Sequence, residues 1–408
     1  MMIESNFKIV LYLFIFSLFF LKSYSQDTPD ATEIEKKTLE FYTNKNWNSL
    51  IAIEDEALKN GNDYFYLRMR LGIAYFEQKN YCLAVMHFNK AIGFNSTDDL
   101  VNEYLYYSYI FLGKEEEARK LSIAFSSELK EKLGLKSTSA IDFITVSGGS
   151  KIANSSFSDS NNLIYFKPAN FFELGLKHYF KNKFSLFHAL NTFNQKTYLG
   201  DINQNQYYAL AAIPLKNNWS IAPAFHILQL KFTGKIPGLN SETTTNNYFV
   251  SSFSVKKSFK KFDFSIGSTL ATILSVTQYN HFANLTYSVF GNSQLVLGFT
   301  DYVHTSDKYA QLNHSFSAFV YYQPLKFATV KLSYFKNQNN NIIEDNGYLI
   351  NNSTDLTTNR ANVLANFRIN KTFSIFTLYQ IENKKVYLQN IDYQYIILLA
   401  GIKINNPF

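Results

Sequence analysis

Cysteine is almost absent: Cys82 stands alone among 408 residues, so the chain forms no internal disulfide and holds no thiolate-based zinc, iron–sulfur or CxxC redox site. Glycine (16) and proline (7) are scarce, which excludes collagen-like and proline-rich classes. Charge is thin as well, at 17% of residues, yet 46% are hydrophobic, so the chain folds rather than staying disordered. There is no HExxH, no GxSxG and no glycine-rich phosphate loop leading into a helix; no cofactor is implied. The net charge of +7 is spread along the chain without a basic helix or stripe, a poor footprint for nucleic acid. What is abundant is aromatic, with 39 Phe and 29 Tyr against 2 Trp.

The first residues read as an address. An apolar run over 9–21 follows Lys8 and is closed by Lys22, long enough for a secretory h-region and too short to span a bilayer. Ser23 and Ser25 supply the small residues of a cleavage site, so the expected mature start is Gln26 and residues 1–25 are a leader. No cysteine follows the apolar run, which excludes an N-terminal lipid anchor.

Beyond the leader the chain has two chemistries. Residues 27–136 carry 18 acidic and 14 basic residues, whereas 137–408 carry 13 acidic and 23 basic over more than twice the length. We expect a solvated helical domain over 26–136 and a charge-poor domain over 137–408. In the first, Leu67, Leu71, Ala74 and Tyr75 share one helical face and Ala84, Phe88, Ala91 and Ile92 the next, with a turn at 78–80 between them. A helix–turn–helix unit of this kind stacks in repeats. Leu71, Gly72, Tyr75, Ala84, Phe88 and Ala91 resemble the tetratricopeptide pattern, and a weaker unit one period later holds Leu105, Tyr109, Ala118 and Phe125. An earlier one is marked by Phe41 and Ala57. The resemblance implies a short solenoid of about three repeats whose concave face, here Tyr66, Met69, Ile73, Phe76, Tyr107 and Ile110, would receive a protein partner.

From Ile141 onward the period is two. Phe172, Leu174 and Leu176 alternate with Glu173, Gly175 and Lys177; Ala328, Val330, Leu332 and Tyr334 alternate with Thr329, Lys331 and Ser333; the same holds from Arg360 to Ile369. Short turns are expected at 181–183, 216–218, 259–261, 291–292, 324–325 and 370–371, and longer polar connections at 150–168, 234–245 and 337–355. Alternation of short and long connections marks an antiparallel transmembrane β-barrel, here of about fourteen strands, with twelve as the alternative count. Aromatic pairs near strand ends (Tyr179 with Phe180, Tyr321 with Tyr322, Tyr334 with Phe335, Tyr393 with Tyr395) suit interfacial girdles. The fold class is therefore α+β in separate domains: a helical solenoid, then a barrel.

The last strand alternates Ile396, Leu398, Ala400, Ile402 and Ile404 and ends on Phe408. A terminal Phe on such a strand resembles the signal read by the barrel-assembly machinery of Gram-negative cells. Leader, short repeat domain and barrel together resemble the YaiO-type outer-membrane proteins and, more distantly, exopolysaccharide-export porins. That resemblance implies an outer-membrane location, contact with outer-membrane lipid, an N-terminal domain in the periplasm and an envelope protein as partner.

These features support two functional expectations. In the first the protein is not an enzyme and serves transport, export or docking of an envelope complex. Glu173, Lys177, Asp263, Lys331, Arg360 and Arg368 fall on the polar sides of their strands, where facing lipid would cost about 2–4 kcal/mol at mid-membrane, so they are expected to line the lumen. Four cations against two acids there would favour anions. In the second the barrel is an enzyme acting on lipid or surface glycan, with His304 and Asp301, beside Asp307, as the acid/base or metal-binding candidates. His314 and Ser315 are adjacent on a strand and point to opposite faces, so they cannot form a base–nucleophile pair.

Overall fold

The computed structural model describes residues 31–135, 140–154, 167–197, 200–234, 242–273, 276–307, 312–337, 343–350, 355–385 and 392–406. The expected leader and Phe408 lie outside the described residues.

The described chain opens with α1 (Ala31–Thr43), α2 (Trp47–Ala52), α3 (Glu54–Lys59), α4 (Phe65–Glu77), α5 (Tyr81–Phe94), α6 (Asp99–Phe111), α7 (Glu115–Ser122) and α8 (Ser127–Lys132). Side-chain caps start several of them: Asn46, Asn80, Asp98 and Ser126 each accept a backbone N–H from the first turn, satisfying donors the helix cannot. α4 and α5 form the central hairpin. A Cβ on Gly72 would stand 2.5 Å from the Phe88 ring, so only glycine lets these two helices approach this closely. Ala84, Phe88 and Ala91 are buried with Met69 and Ile73, while Leu71 and Ala74 of α4 are buried on its other side against Ile34, Leu50 and Ala57. The Tyr75 ring stacks on His87, and its hydroxyl donates to Glu54 at 2.6 Å. A polar thread continues through this core, with Arg68 donating to His87 Nδ1 at 3.3 Å and pairing with Asp63 at 2.6 Å.

The second part is a closed antiparallel barrel of fourteen strands. They are β1 (Ile141–Ala153), β2 (Ala169–Phe180), β3 (Phe184–Lys196), β4 (Gly200–Pro214), β5 (Trp219–Gly234), β6 (Thr243–Phe259), β7 (Phe262–Ile273), β8 (Val276–Ser288), β9 (Leu295–Ser306), β10 (Asn313–Leu325), β11 (Ala328–Lys336), β14 (Leu356–Arg368), β15 (Phe373–Lys385) and β16 (Asp392–Asn405). The short β12 (Ile343–Glu344) and β13 (Leu349–Ile350) pair only with each other. Each barrel strand pairs with its sequence neighbour, except that β11 skips to β14 and β1 closes onto β16. Closure leaves no unpaired edge, as a spanning sheet requires.

Alternation decides which side chains meet lipid. Phe172, Leu190, Phe253, Ile266, Leu332 and Leu398 stand outward and exposed, part of an apolar belt around the barrel. The expected aromatic pairs divide by the same rule. Phe180, Tyr322 and Tyr334 are exposed, whereas Tyr179 and Phe335 are buried inside the wall, and Tyr393 and Tyr395, two apart on one strand, both point inward and are buried.

The connections expected as short turns form one rim; the opposite rim holds the long ones together with the brief links between β3 and β4 and between β7 and β8. Asn217 and Asn218 both take positive φ (55° and 58°), the backbone of a tight hairpin turn. One turn lies two residues beyond its expected place. Pro324 belongs to the end of β10, where the register breaks between Tyr322 and Leu325, and the turn is at 326–327. A proline fits there because it has no N–H to give the ladder.

The helices sit against this rim. Cys82 N–H donates to Gly291 O at 2.9 Å, Asn292 donates to Lys79 O at 3.1 Å, and Tyr109 and Asn89 both donate to Asn218 Oδ1, at 3.1 and 3.3 Å. Lys114 pairs with Asp263 at 3.0 Å, Glu116 with Lys177 at 2.9 Å, and the Arg119 guanidinium lies 3.8 Å over the Tyr179 ring. These contacts run from β2 to β9, so the helices cover one arc of the short-turn mouth.

Candidate functional site

The lumen is divided by a segment of the β11–β14 connection, residues 343–350, that folds inward. Three successive residues, Asp345, Asn346 and Gly347, have positive φ (48°, 55° and 85°), which reverses the chain tightly between β12 and β13. Ile343 is buried against Leu228, Val250 and Ile273 of the wall. Polar groups fix the rest. His226 Nδ1 donates to Gly347 O at 2.8 Å, Asn280 donates to Ile343 O, and the Tyr348 hydroxyl donates to the Glu173 carboxylate. Arg360 Nη2 bonds both oxygens of Glu344, at 2.7 and 2.6 Å, and its guanidinium lies 4.9 Å from the centre of the Phe335 ring. The turn of this hairpin leans on β5–β7, while Tyr348 and Glu344 reach partners on β2 and β14.

Beside it, and lined in part by its Glu344, Asp345 and Tyr348, lies a chamber of about 960 Å³. Its wall on β16 includes Tyr393, Tyr395, Ile397, Leu399 and Lys403. Ten residues of strand at about 3.3 Å each, tilted about 40°, amount to roughly 25 Å along the axis, close to the height of the apolar belt of an outer-membrane barrel. Its lining draws on every barrel strand except β6 and β7, and along β16 the chamber runs through most of the barrel's height.

The lumen candidates from the sequence fall into two groups. Glu173, Lys331 and Arg360 line the chamber. Lys177 and Asp263 lie at the foot of the barrel beneath the helices, each neutralised by a helical partner; Lys177 also pairs with Asp142 at 3.2 Å. Arg368 is exposed at the rim and donates to Lys326 O at 2.9 Å. Several lining charges were missed by sequence reasoning. Lys151 pairs with Glu382 at 3.2 Å, Lys384 lies 3.5 Å from the same carboxylate, and Tyr393 donates to Asp355 at 2.7 Å. Extending the alternation of β15 from Phe376 and Leu378 places Glu382 and Lys384 inward; nothing local in 337–355 marks Glu344 as a lumen residue. After pairing, two lining cations remain without a carboxylate within 4 Å among the described residues, Lys331 and Lys403. Each instead faces an aromatic ring, Phe319 at 4.6 Å and Phe143 at 4.1 Å.

The candidate enzymatic cluster is not assembled. Asp301 and His304 are three apart on β9 and point to opposite faces; Asp301 meets His314 at 3.3 Å on the outer surface, and Asp307 accepts from the Thr277 N–H at 3.2 Å. No three metal-ligating side chains converge among the described residues. On the helices, Met69 and Ile73 of the expected groove are buried in the core with Val101 and Leu105. Phe76 and Ile110 are half-buried against the same core, and Tyr66 and Tyr107 are exposed.

No known family profile and no curated protein matches the chain in sequence. Among solved structures it is similar to the Ralstonia pickettii toluene transporter TbuX, at 8% identity over 67% of this chain and 90% of that one, with a TM-score of 0.45. It is also similar to a Pseudomonas aeruginosa FadL homologue (10% identity, 65% and 90%, TM-score 0.40) and to the Acinetobacter baumannii outer membrane protein Omp33 (8%, 65% and 99%, TM-score 0.37). The likeness is one of barrel fold.

Proposed function

We propose that this chain is a non-enzymatic outer-membrane channel for small solutes, with its helices on the periplasmic side as a short tetratricopeptide-like platform. The observation that carries the reading is the chamber that runs beside the inward hairpin through most of the barrel's height. A barrel held shut for structural ends alone would fill this space with packed side chains, as narrow barrels do. The hydrogen bonds and ion pairs given above from the helices to the rim fall between β2 and β9, and Glu115 of α7 acts on Lys403 of β16. Lys331 and Lys403 give its lower part a positive potential, which favours anions. In planar bilayers the purified chain passes anions better than cations. Lys331→Ser combined with Lys403→Ser lowers or reverses that preference, whereas Arg368→Ser at the rim leaves it unchanged. Absence of current, or a cation preference in the wild type, removes the channel reading.

A further inference from the structure

Resting on the channel reading, we propose that the chamber binds small acidic sugars, polyhydroxylated carboxylates of one or two units. Three sets of groups in its wall carry this. The first is amide: Asn191, Gln204 and Gln206 on β3 and β4, and Asn362, Asn366 and Gln380 on β14 and β15, line two separate arcs. An amide both donates and accepts, which is what a hydroxyl, itself donor and acceptor, requires of its partner. Asn366 Oδ1 and His226 Nε2 are buried without a hydrogen-bond partner among the described residues, and both residues line the chamber. The Nδ1 proton given to Gly347 leaves Nε2 of a neutral ring as an acceptor for a ligand hydroxyl.

The second set is aromatic. Phe319 and Phe376 line the chamber, and each ring occupies the space that a Cβ on the neighbouring inward glycine, Gly298 or Gly401, would take. A ring packed on a wall glycine offers a platform to the apolar C–H face of a pyranose; Phe376 supplies one, while Phe319 also carries Lys331 at 4.6 Å. The third set is Lys331 and Lys403, the lining cations without a carboxylate within 4 Å among the described residues, either of which can pair with a ligand carboxylate.

Competing ligand classes use only part of this wall. A hydrocarbon would leave the amides and both lysines desolvated and unpaired. A simple inorganic anion would use the lysines and ignore the amides and rings. The volume, about 960 Å³, suits a small organic molecule rather than a polymer coil.

The test is titration calorimetry on the full chain folded in detergent, with D-glucuronate, D-glucose and hexanoate as probes. Glucuronate is expected to bind about tenfold tighter than glucose, the step one charge-assisted hydrogen bond supplies, and tighter than hexanoate. Lys331→Gln combined with Lys403→Gln removes the advantage of glucuronate over glucose; Lys331→Arg with Lys403→Arg retains it. Heat-dependent gel mobility reports that each variant is a folded barrel. Hexanoate binding best, equal binding of glucose and glucuronate, or no heat with any probe overturns the proposal. Potassium chloride conductance, measured separately, tests the channel reading itself, so a conducting barrel indifferent to glucuronate refutes this inference alone.

Discussion

Replacing Arg360 by Ala should release the inward hairpin. Arg360 and Glu344 form a pair whose side chains are only 11% and 7% exposed, and removing one member of a buried pair costs about 3–5 kcal/mol because the other charge is left uncompensated. In this barrel Glu344 can escape that penalty by carrying residues 343–350 out of the lumen. Each 1.4 kcal/mol is about a factor of ten, so the balance between seated and released hairpin shifts by roughly two to three and a half powers of ten. Opposing release are the bonds of Gly347 to His226 and of Tyr348 to Glu173, together with the burial of Ile343. Their geometry depends on the tight turn at 345–347, which the loss of Arg360 leaves without its anchor on the β14 side. The assay is single-channel recording in planar bilayers beside limited proteolysis of the folded protein. Conductance rises and cleavage within 343–350 becomes fast in Arg360→Ala, whereas Arg360→Leu with Glu344→Leu, which removes both charges and fills the space, restores the wild-type values. Unchanged conductance and unchanged protection in Arg360→Ala would refute the reasoning, since the hairpin would then be held by its other contacts alone.

Docking of the helices is reported by the lone cysteine. Cys82 is 8% exposed and its N–H bonds Gly291 of the rim, and burial pushes its thiol up, so maleimide labels it slowly. Lys114→Ala with Glu116→Ala breaks both ion pairs to the barrel and speeds labelling by about tenfold, two partly buried pairs at roughly 0.7 kcal/mol each; added salt speeds the wild type in the same direction, and equal rates would contradict the docked arrangement. The helical core also carries a pH dependence at Glu54. Burial pushes its carboxyl up, but His87, Tyr75 and Arg68 together more than offset this and hold it below its ordinary 4.5. A carboxylate with a depressed folded pKa contributes stability that is complete above about 4.5 and lost as pH falls through the folded value. Thermal melting of the helical signal in wild type therefore drops between about pH 6 and about pH 3 by more than in Glu54→Gln, and parallel drops would show that Glu54 contributes nothing.

Barrel strands were legible because each side chain meets one of two solvents, lipid or lumen, and the alternation leaves a period of two in the sequence. Turns were legible where their residues tolerate positive φ, as at Asn217 and Asn218, and misplaced where a proline ended a strand instead of turning it. On the helices the contact of Gly72 with Phe88 falls on two positions that the resemblance to the tetratricopeptide pattern marks. The groove could not be read: a repeat pattern assigns Met69 and Ile73 to a concave face, but α6 packs over that face and takes both into the core with Val101 and Leu105. Which side of a short helical stack stays open depends on the element that packs next to it, and period 3.6 carries no record of that.

The lumen charges show the same limit more sharply. Alternation places a charge inside a barrel, and it placed Glu173, Lys331 and Arg360 at the chamber. It says nothing about the partner, because partners come from other elements: Lys177 is met by Glu116 of α7, Asp263 by Lys114 before α7, and Arg360 by Glu344 of the inward hairpin. A surplus of cations counted along strands is thus not the potential a solute meets. That potential is set by the charges left after pairing, and Lys403, which the strand alternation did not single out, joins Lys331 in setting it while Lys177 and Arg368 drop out. The cations without a carboxylate within 4 Å among the described residues thus move from Arg360 and Arg368 to Lys331 and Lys403 on the β11 and β16 walls. A solute drawn by those two lysines would meet them on walls of the chamber that the hairpin also lines.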